Sequence, residues 1–319
     1  MHDFIEELGD GIYAIDTGFQ RPRFDAAYLI VEDGHAAFID TGTNHAVPRL
    51  LATLAALGLP SAAVDWVIPT HVHLDHAGGA GLLMQSLPTA QMLVHPRGLR
   101  HMVDPSALYH GALAVYGEAE MQRSYGELQA VAAERVLASH DGMTITLAGR
   151  PLLLLDTPGH ARHHHCIWDA RSRGWFSGDT FGLSYREFDT ARGPWIMPTS
   201  TPVQFDPTAL QASVQRLLSY QAQAMYLTHY GRVDEPARLA VLLLAQLDAM
   251  VALGLSLGKT AADQQRHQDL KDGLQALYLQ SLQAHGCELP SAQQRLLLSM
   301  DIELNAQGLA IWLDKEGAA

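Results

Sequence analysis

The sequence predicts an α/β protein with a helical C-terminal extension, and three observations carry that expectation. Up to about residue 230, short apolar or alternating segments exchange with stretches of helical spacing. From Glu235 onward Leu, Ala and Gln dominate, with helical periodicity over 235–253, 260–284 and 290–313. Between these regimes lies an apolar core supply of ordinary size: 48% of the 319 residues are apolar and 17% charged, as in a globular chain with a full core.

The elements follow in order. Gly11–Asp16, Ala26–Val31 and His35–Asp40 are separated by Gly and Asp and read as antiparallel strands. Ala46–Leu57 has helical spacing and stops at Gly58, a C-cap residue. Trp66–Pro69 is a brief buried strand, and Gln91–Val94, Thr144–Leu147, Leu152–Leu155, His164–Trp168 and Gly174–Phe176 are further strands. Residues 96–138, with Tyr109, Tyr116 and Tyr125, are helical in character and form either an inserted lid or a helix on the sheet edge. The C-terminal helices break near Gly254–Gly258 and Gly286–Pro290. The expected division is therefore an α/β domain over 1–234, with the 96–138 insertion, and a helical subdomain over 235–319.

Charge and cysteine usage narrow the function. A net charge of −13 opposes binding to a phosphate backbone, which needs clustered Lys and Arg, so no nucleic-acid partner is expected. Two cysteines, Cys166 and Cys287, cannot build a disulfide framework or a thiolate zinc site. The acidic start His2-Asp3-Phe4-Ile5-Glu6-Glu7 lacks the basic and apolar regions of a secretory signal. No uninterrupted apolar run reaches the roughly 18 to 20 residues that cross a bilayer. A cytoplasmic protein with a small-molecule substrate and no membrane partner is the expectation. The Leu-rich stripes Leu239-Val241-Leu242-Leu243 and Leu296-Leu297-Leu298 need burial, and either cap the site or favour a homodimer.

Seventeen histidines are unevenly placed. The segment Thr70-His71-Val72-His73-Leu74-Asp75-His76-Ala77-Gly78-Gly79 offers four metal-ligand types within six positions. Histidines at i and i+2 of an extended segment point the same way, and Asp75 and His76 follow where the chain turns. The Gly pair admits a close backbone approach before a helix starts near Ala80. Imidazole with carboxylate, and no thiolate, suits zinc or iron.

This His-x-His-x-Asp-His motif followed by Gly-Gly resembles the signature of the metallo-β-lactamase superfamily. Four further segments match its later and earlier marks: Asp40-Thr41-Gly42, Asp156-Thr157-Pro158-Gly159-His160, Phe176-Ser177-Gly178-Asp179-Thr180 and Leu227-Thr228-His229-Tyr230-Gly231. The last alters the usual wording around its histidine. The resemblance covers residues from about 10 to 231 and implies an αβ/βα sandwich. It implies two divalent metal ions, zinc first and iron or manganese on the same donors. His71, His73 and His160 would hold one ion, and Asp75, His76 and His229 the second. Asp179 would touch both, and Asp40 would support the metal loop. Asp75 would also be catalytic, orienting a metal-bound water and later protonating the leaving group.

The function implied is hydrolysis of a small ester, thioester or lactone, in the glyoxalase II-like branch. Glyoxalase II binds glutathione through basic residues in its C-terminal part, whereas here only Lys259, Arg266, Lys271, Arg295 and Lys315 follow Arg238. Two other classes remain: a mononuclear iron dioxygenase acting on persulfides, and a metal-containing binding or regulatory protein with little turnover. Outside the motifs, alternation sets His164 opposite to His163 and His165, in supporting rather than ligating roles. His95, His101, His110 and His140 read as surface or pocket residues, and Cys166 as a buried small hydrophobe. Tyr230 reads either as a substrate contact or as core. The proline-rich loop Arg192–Pro202 reads either as an apolar pocket wall or as a covering loop.

Overall fold

In the computed structural model the described residues are 2–200, 202–257 and 263–316. They divide into two compact units. The first comprises residues 1–156, 163–178 and 221–234; the second comprises 157–162, 179–220 and 235–319.

The first unit contains two sheets. One has seven strands in sequence order: β1 (Ile5–Gly9), β2 (Ile12–Asp16), β3 (Ala26–Glu32), β4 (His35–Ile39), β5 (Val64–Ile68), β6 (Gln91–Val94) and β7 (Val136–Ala138). Its first four strands pair antiparallel, and the pairs from β4 to β7 are parallel. The other sheet runs β13-β12-β11-β10-β9-β8, built from β8 (Met143–Leu147), β9 (Arg150–Asp156), β10 (His165–Asp169), β11 (Gly174–Gly178), β12 (Ala224–Leu227) and β13 (Gly231–Asp234).

Side chains of β3 alternate between two cores, which explains its unbroken apolar run. Ala26, Tyr28 and Ile30 join Leu152, Leu154, Ile167, Phe176 and Tyr226 between the sheets. Ala27 and Leu29 face the opposite way, with Phe38 and Val67, into a core completed by helices. These helices include α1 (Val47–Ala56), which starts with Pro48 in its first turn, buries Val47, Leu50 and Leu54, and ends before Gly58 at φ +69°. Each such buried Leu contributes about 1.5–3 kcal/mol of transfer free energy. The short α2 (Leu74–Ala77) and α3 (Ala80–Ser86) carry and follow the histidine motif.

Residues 96–138 hold α4 (Leu99–Val103), α5 (Ser106–Tyr116) and α6 (Glu118–Glu120), which runs into a π-helical turn at Met121–Tyr125. The helical expectation fails after Gly126, where coil and a single 3-10 turn (Ala133–Arg135) lead into β7. Strand β7 is only three residues long, too short to show a period.

The second unit is helical: α7 (Pro207–Leu218), α8 (Pro236–Leu257), α9 (Asp263–His285), α10 (Ser291–Leu297) and α11 (Ser299–Glu316). Helix α8 runs through Gly254 and ends at Leu257, within the expected break near Gly254–Gly258. Gly258, Lys259, the expected helix start at 260 and Thr201 of the proline-rich loop lie outside the described residues. The expected helix over 290–313 divides at Leu298. Helix α8 buries Leu239, Leu243, Leu247 and Met250 on one stripe, spaced for a helical face, and packs on α7, α9 and α11. By length and hydropathy alone α8 could cross a membrane, with 39% of its most apolar window buried. Of the Leu-rich stripes, Leu239, Leu243 and Leu298 are buried, whereas Val241 and Leu296 are exposed. The proline-rich loop is held by these helices: Trp195 Nε1 donates to Ser281 Oγ (2.9 Å) and Ser200 N to Asn305 Oδ1 (2.7 Å).

Candidate metal centre

The first unit carries five of the seven predicted ligands. Strand β5 delivers the chain to Thr70, and Asp40, at the end of β4, receives it. Asp40 Oδ1 accepts from Thr70 N (2.6 Å) and Thr70 Oγ1 (3.0 Å). Its Oδ2 accepts from Thr228 Oγ1 (2.8 Å) and from His76 Nδ1 (2.8 Å). One buried carboxylate therefore ties β4, the motif loop and the end of β12 together, and fixes the tautomer of His76. The Gly pair behaves as its sequence position implies. Gly79 N donates to Gly42 O (2.8 Å), and a Cβ on Gly79 would stand 2.6 Å from Thr43 O.

The imidazoles are aimed. His71 and His76 are fully buried, with ring centroids 4.0 Å apart, and His71 Nε2 lies 2.8 Å from His73 Nδ1. His229 Nδ1 donates to Phe24 O (2.9 Å), which turns its Nε2 to within 3.3 Å of Asp75 Oδ2. His76 Nε2 lies 4.0 Å from the same oxygen. Asp75, His76 and His229 thus offer ligand atoms within 4.8 Å of one another. A carboxylate and two imidazole Nε2 atoms in that space could hold a divalent ion.

The second unit carries the other two predicted ligands in the same style. His160 Nδ1 faces Thr199 O (3.5 Å), and its Nε2 lies 3.4 Å from Asp179 Oδ2. Gly159 is required before it: φ is +137°, and a Cβ there would stand 2.3 Å from the backbone of Leu210 in α7.

The histidine run corrects one expectation. His164 is not opposed to His163: both rings stack towards His71, at 4.8 and 6.1 Å, because β10 begins only at His165 and the two preceding residues do not alternate. His165 is buried between Ser139 Oγ (2.8 Å) and Pro69 O (2.9 Å), and burial pushes its imidazole down to about 4. His95, expected at the surface or in a pocket, is buried and pairs with Asp156 (3.2 Å). His110 and His140 are exposed. Cys166 is fully buried, and Tyr230 packs into the inter-sheet core.

Two neighbours of the centre carry no motif. Phe24 supplies the carbonyl that orients His229, and its ring meets that imidazole edge-on at 5.3 Å. Asp25 is fully buried, with Oδ2 accepting from Thr17 Oγ1 (2.8 Å) and no hydrogen bond to Oδ1 among the described residues. Burial raises its carboxyl to about 7, against the opposing pull of His229 and His76.

The chain is similar to several known proteins. The acyl-coenzyme A thioesterase MBLAC2 of Homo sapiens is 27% identical over 54% of this chain and 64% of its own length. A hydroxyacylglutathione hydrolase of Cupriavidus taiwanensis is 36% identical over 51% of this chain, so the chain spans about half the length of that relative (52%). The crystal structure of ST1585, a superfamily protein from Sulfolobus tokodaii, shares the fold with a TM-score of 0.67 at 22% identity, covering 94% of this chain and 98% of that one. Residues 21–229 match the family model for the metallo-beta-lactamase superfamily, and the chain belongs to that family.

Proposed function

We propose that the protein is a two-metal hydrolase of acyl thioesters. In this reading His71, His73 and His160 hold one ion, Asp75, His76 and His229 hold the other, and Asp179 serves both. The observation that carries the proposal is the convergence of Asp75, His76 and His229, with both imidazoles already turned by acceptors on Nδ1. Nitrogen and oxygen donors without thiolate fit zinc first, and iron or manganese next. A pair of divalent ions supplies Lewis acidity and a lowered water pKa when bound. The chain's own part is proton handling. Asp75, its side chain 24% exposed, takes a proton from the attacking water and passes it to the departing thiolate as the C–S bond breaks.

The names of the human and Cupriavidus relatives both describe cleavage of an acyl–sulfur bond, which favours a thioester over a lactone. A glutathione leaving group is not favoured. Arg266 is paired with Asp314 (2.7 Å) and Lys271 with Glu303 (2.6 Å), so two of the few C-terminal cations are already engaged.

The test is metal content by mass spectrometry on untagged protein, followed by hydrolysis of S-acyl-N-acetylcysteamine thioesters. About two divalent ions per chain and turnover are expected, with Asp75→Asn lowering kcat/KM by roughly 10²–10⁴-fold. One iron per chain with oxygen consumption would overturn the reading in favour of a dioxygenase. No metal after reconstitution would overturn it in favour of a binding protein.

A further inference from the structure

Helix α5 has a composition at odds with its surroundings. Its sequence, Ser-Ala-Leu-Tyr-His-Gly-Ala-Leu-Ala-Val-Tyr, contains one basic residue, His110, and no acidic one, yet every residue in it is at least partly exposed. Leu108 reaches the core beneath, while Leu113 and Tyr116 are half-exposed and Val115 is 39% exposed. Helices apolar on all sides are ordinarily buried, and an apolar surface left open marks a binding face.

From the end of α5 a line of rings leads inward. Tyr116 meets Tyr125 (centroids 5.3 Å), Tyr125 meets Phe19 (5.5 Å), Phe19 meets Phe24 (5.8 Å), and Phe24 meets the candidate ligand His229 (5.3 Å). Tyr125 is set into this line by the π-helical turn Met121–Tyr125, a distortion of the kind that recurs at functional sites. Burial, with Tyr116 and the Asp75 carboxylate nearby, holds its phenol protonated. The turn is moored to the β2–β3 loop by Gln20 Nε2 donating to Glu120 Oε1 (3.3 Å).

We infer that α5 and this ring path bind an apolar acyl chain whose carbonyl end lies at Asp75 and His229, so that the substrates carry acyl groups of medium or greater length. The inference rests on the thioester reading for the reaction. Its own support is continuity: the open apolar face and the candidate metal ligands are joined by aromatic contacts, and the Arg21 guanidinium lies over the Phe24 ring, 4.5 Å from its centroid. A second copy of the chain would cover α5 without explaining why the path runs inward to a ligand.

The test separates binding from turnover. Calorimetry on the metal-replete protein compares decanoate with butyrate, and kinetics compare S-acetyl- to S-decanoyl-N-acetylcysteamine. Decanoate is expected to bind at least about tenfold more tightly, and kcat/KM to rise roughly two- to fourfold per added methylene within the path. Leu113→Gln, at a half-exposed position, and Phe19→Ala are expected to collapse both preferences to within about twofold. Equal binding of the two acids, with thioesters still hydrolysed, overturns the inference and leaves the thioesterase reading intact. Preference for decanoate retained in both variants also overturns it. So does a dimer by light scattering that Leu113→Gln dissociates, since α5 would then be a subunit interface. A decanoate preference without hydrolysis of any thioester supports the apolar site and sinks the thioester reading.

Discussion

The motif loop at 70–79 and the insertion at 106–126 sit in the same unit and are built on opposite principles. In the loop His71 and His76 are fully buried, and His76 has its Nδ1 hydrogen committed to Asp40. In the insertion an eleven-residue apolar helix buries nothing completely, and a π-helical turn replaces regular hydrogen bonding. Chemistry that tolerates little displacement is held by buried polar contacts. Recognition of an apolar group needs area and adaptability rather than a fixed angle. On the proposed reading, the contrast teaches that this unit would separate what it does to a bond from which molecule it accepts.

The comparison breaks first at Asp40. Asp40→Ala removes the acceptor for His76, Thr70 and Thr228 together while leaving all seven predicted ligands present. Metal affinity, read by competition with a chromogenic chelator, is expected to fall about 10–100-fold. An unchanged affinity would mean that packing alone holds the loop.

A second test concerns the polar contacts behind the loop. His165 is neutral in the fold with its imidazole lowered to about 4, whereas the unfolded chain protonates near 6.5. Between those values the unfolded state binds more protons, so this residue's contribution is full above about pH 6.5 and is lost as pH falls towards 4. The loss is at most about 3 kcal/mol. Asp25 has the opposite sign: its carboxyl, raised to about 7, favours the fold at low pH and weakens it as pH rises from about 4 to 7. Urea unfolding of metal-free wild type and His165→Gln at pH 7.5 and 4.5 isolates the first contribution. The variant is expected to lose less stability on acidification, and parallel losses would refute the assignment.

The smallest effect sharpens the other side. Gly111 lies inside α5, and a Cβ there would meet nothing within 4 Å. Gly111→Ala should stabilise the helix by about 0.5–1 kcal/mol, read as slower amide exchange in α5, with metal content unchanged. Unaltered exchange would show that α5 opens only with the whole unit.

What the sequence disclosed follows the same division. His71, His73, Asp75 and His76 were legible because their spacing is local, and Asp40 because its motif is short. The roles of Phe24 and Thr228 were not legible: each acts through contacts with distant chain, and the motif that contains Thr228 does not show its bond to Asp40. Strand β1 and helix α7 are short or mixed segments that carry little periodicity, and β7 follows a stretch whose spacing reads as helical. His163 and His164 misled through a sound rule applied two residues before the strand begins. The exposure of α5 could not be foreseen, since apolar residues at helical spacing describe a buried helix equally well.

Phe24 serves the centre with two separate parts of one residue. Its carbonyl fixes His229, and its ring closes the aromatic line. The carbonyl belongs to the main chain and would survive any side chain placed there. If the proposed acyl site holds, a change of ring at position 24 during divergence would alter the molecules accepted without surrendering the orientation of His229. Position 24 is then a place where descendants of this protein could acquire new substrates while inheriting the old chemistry.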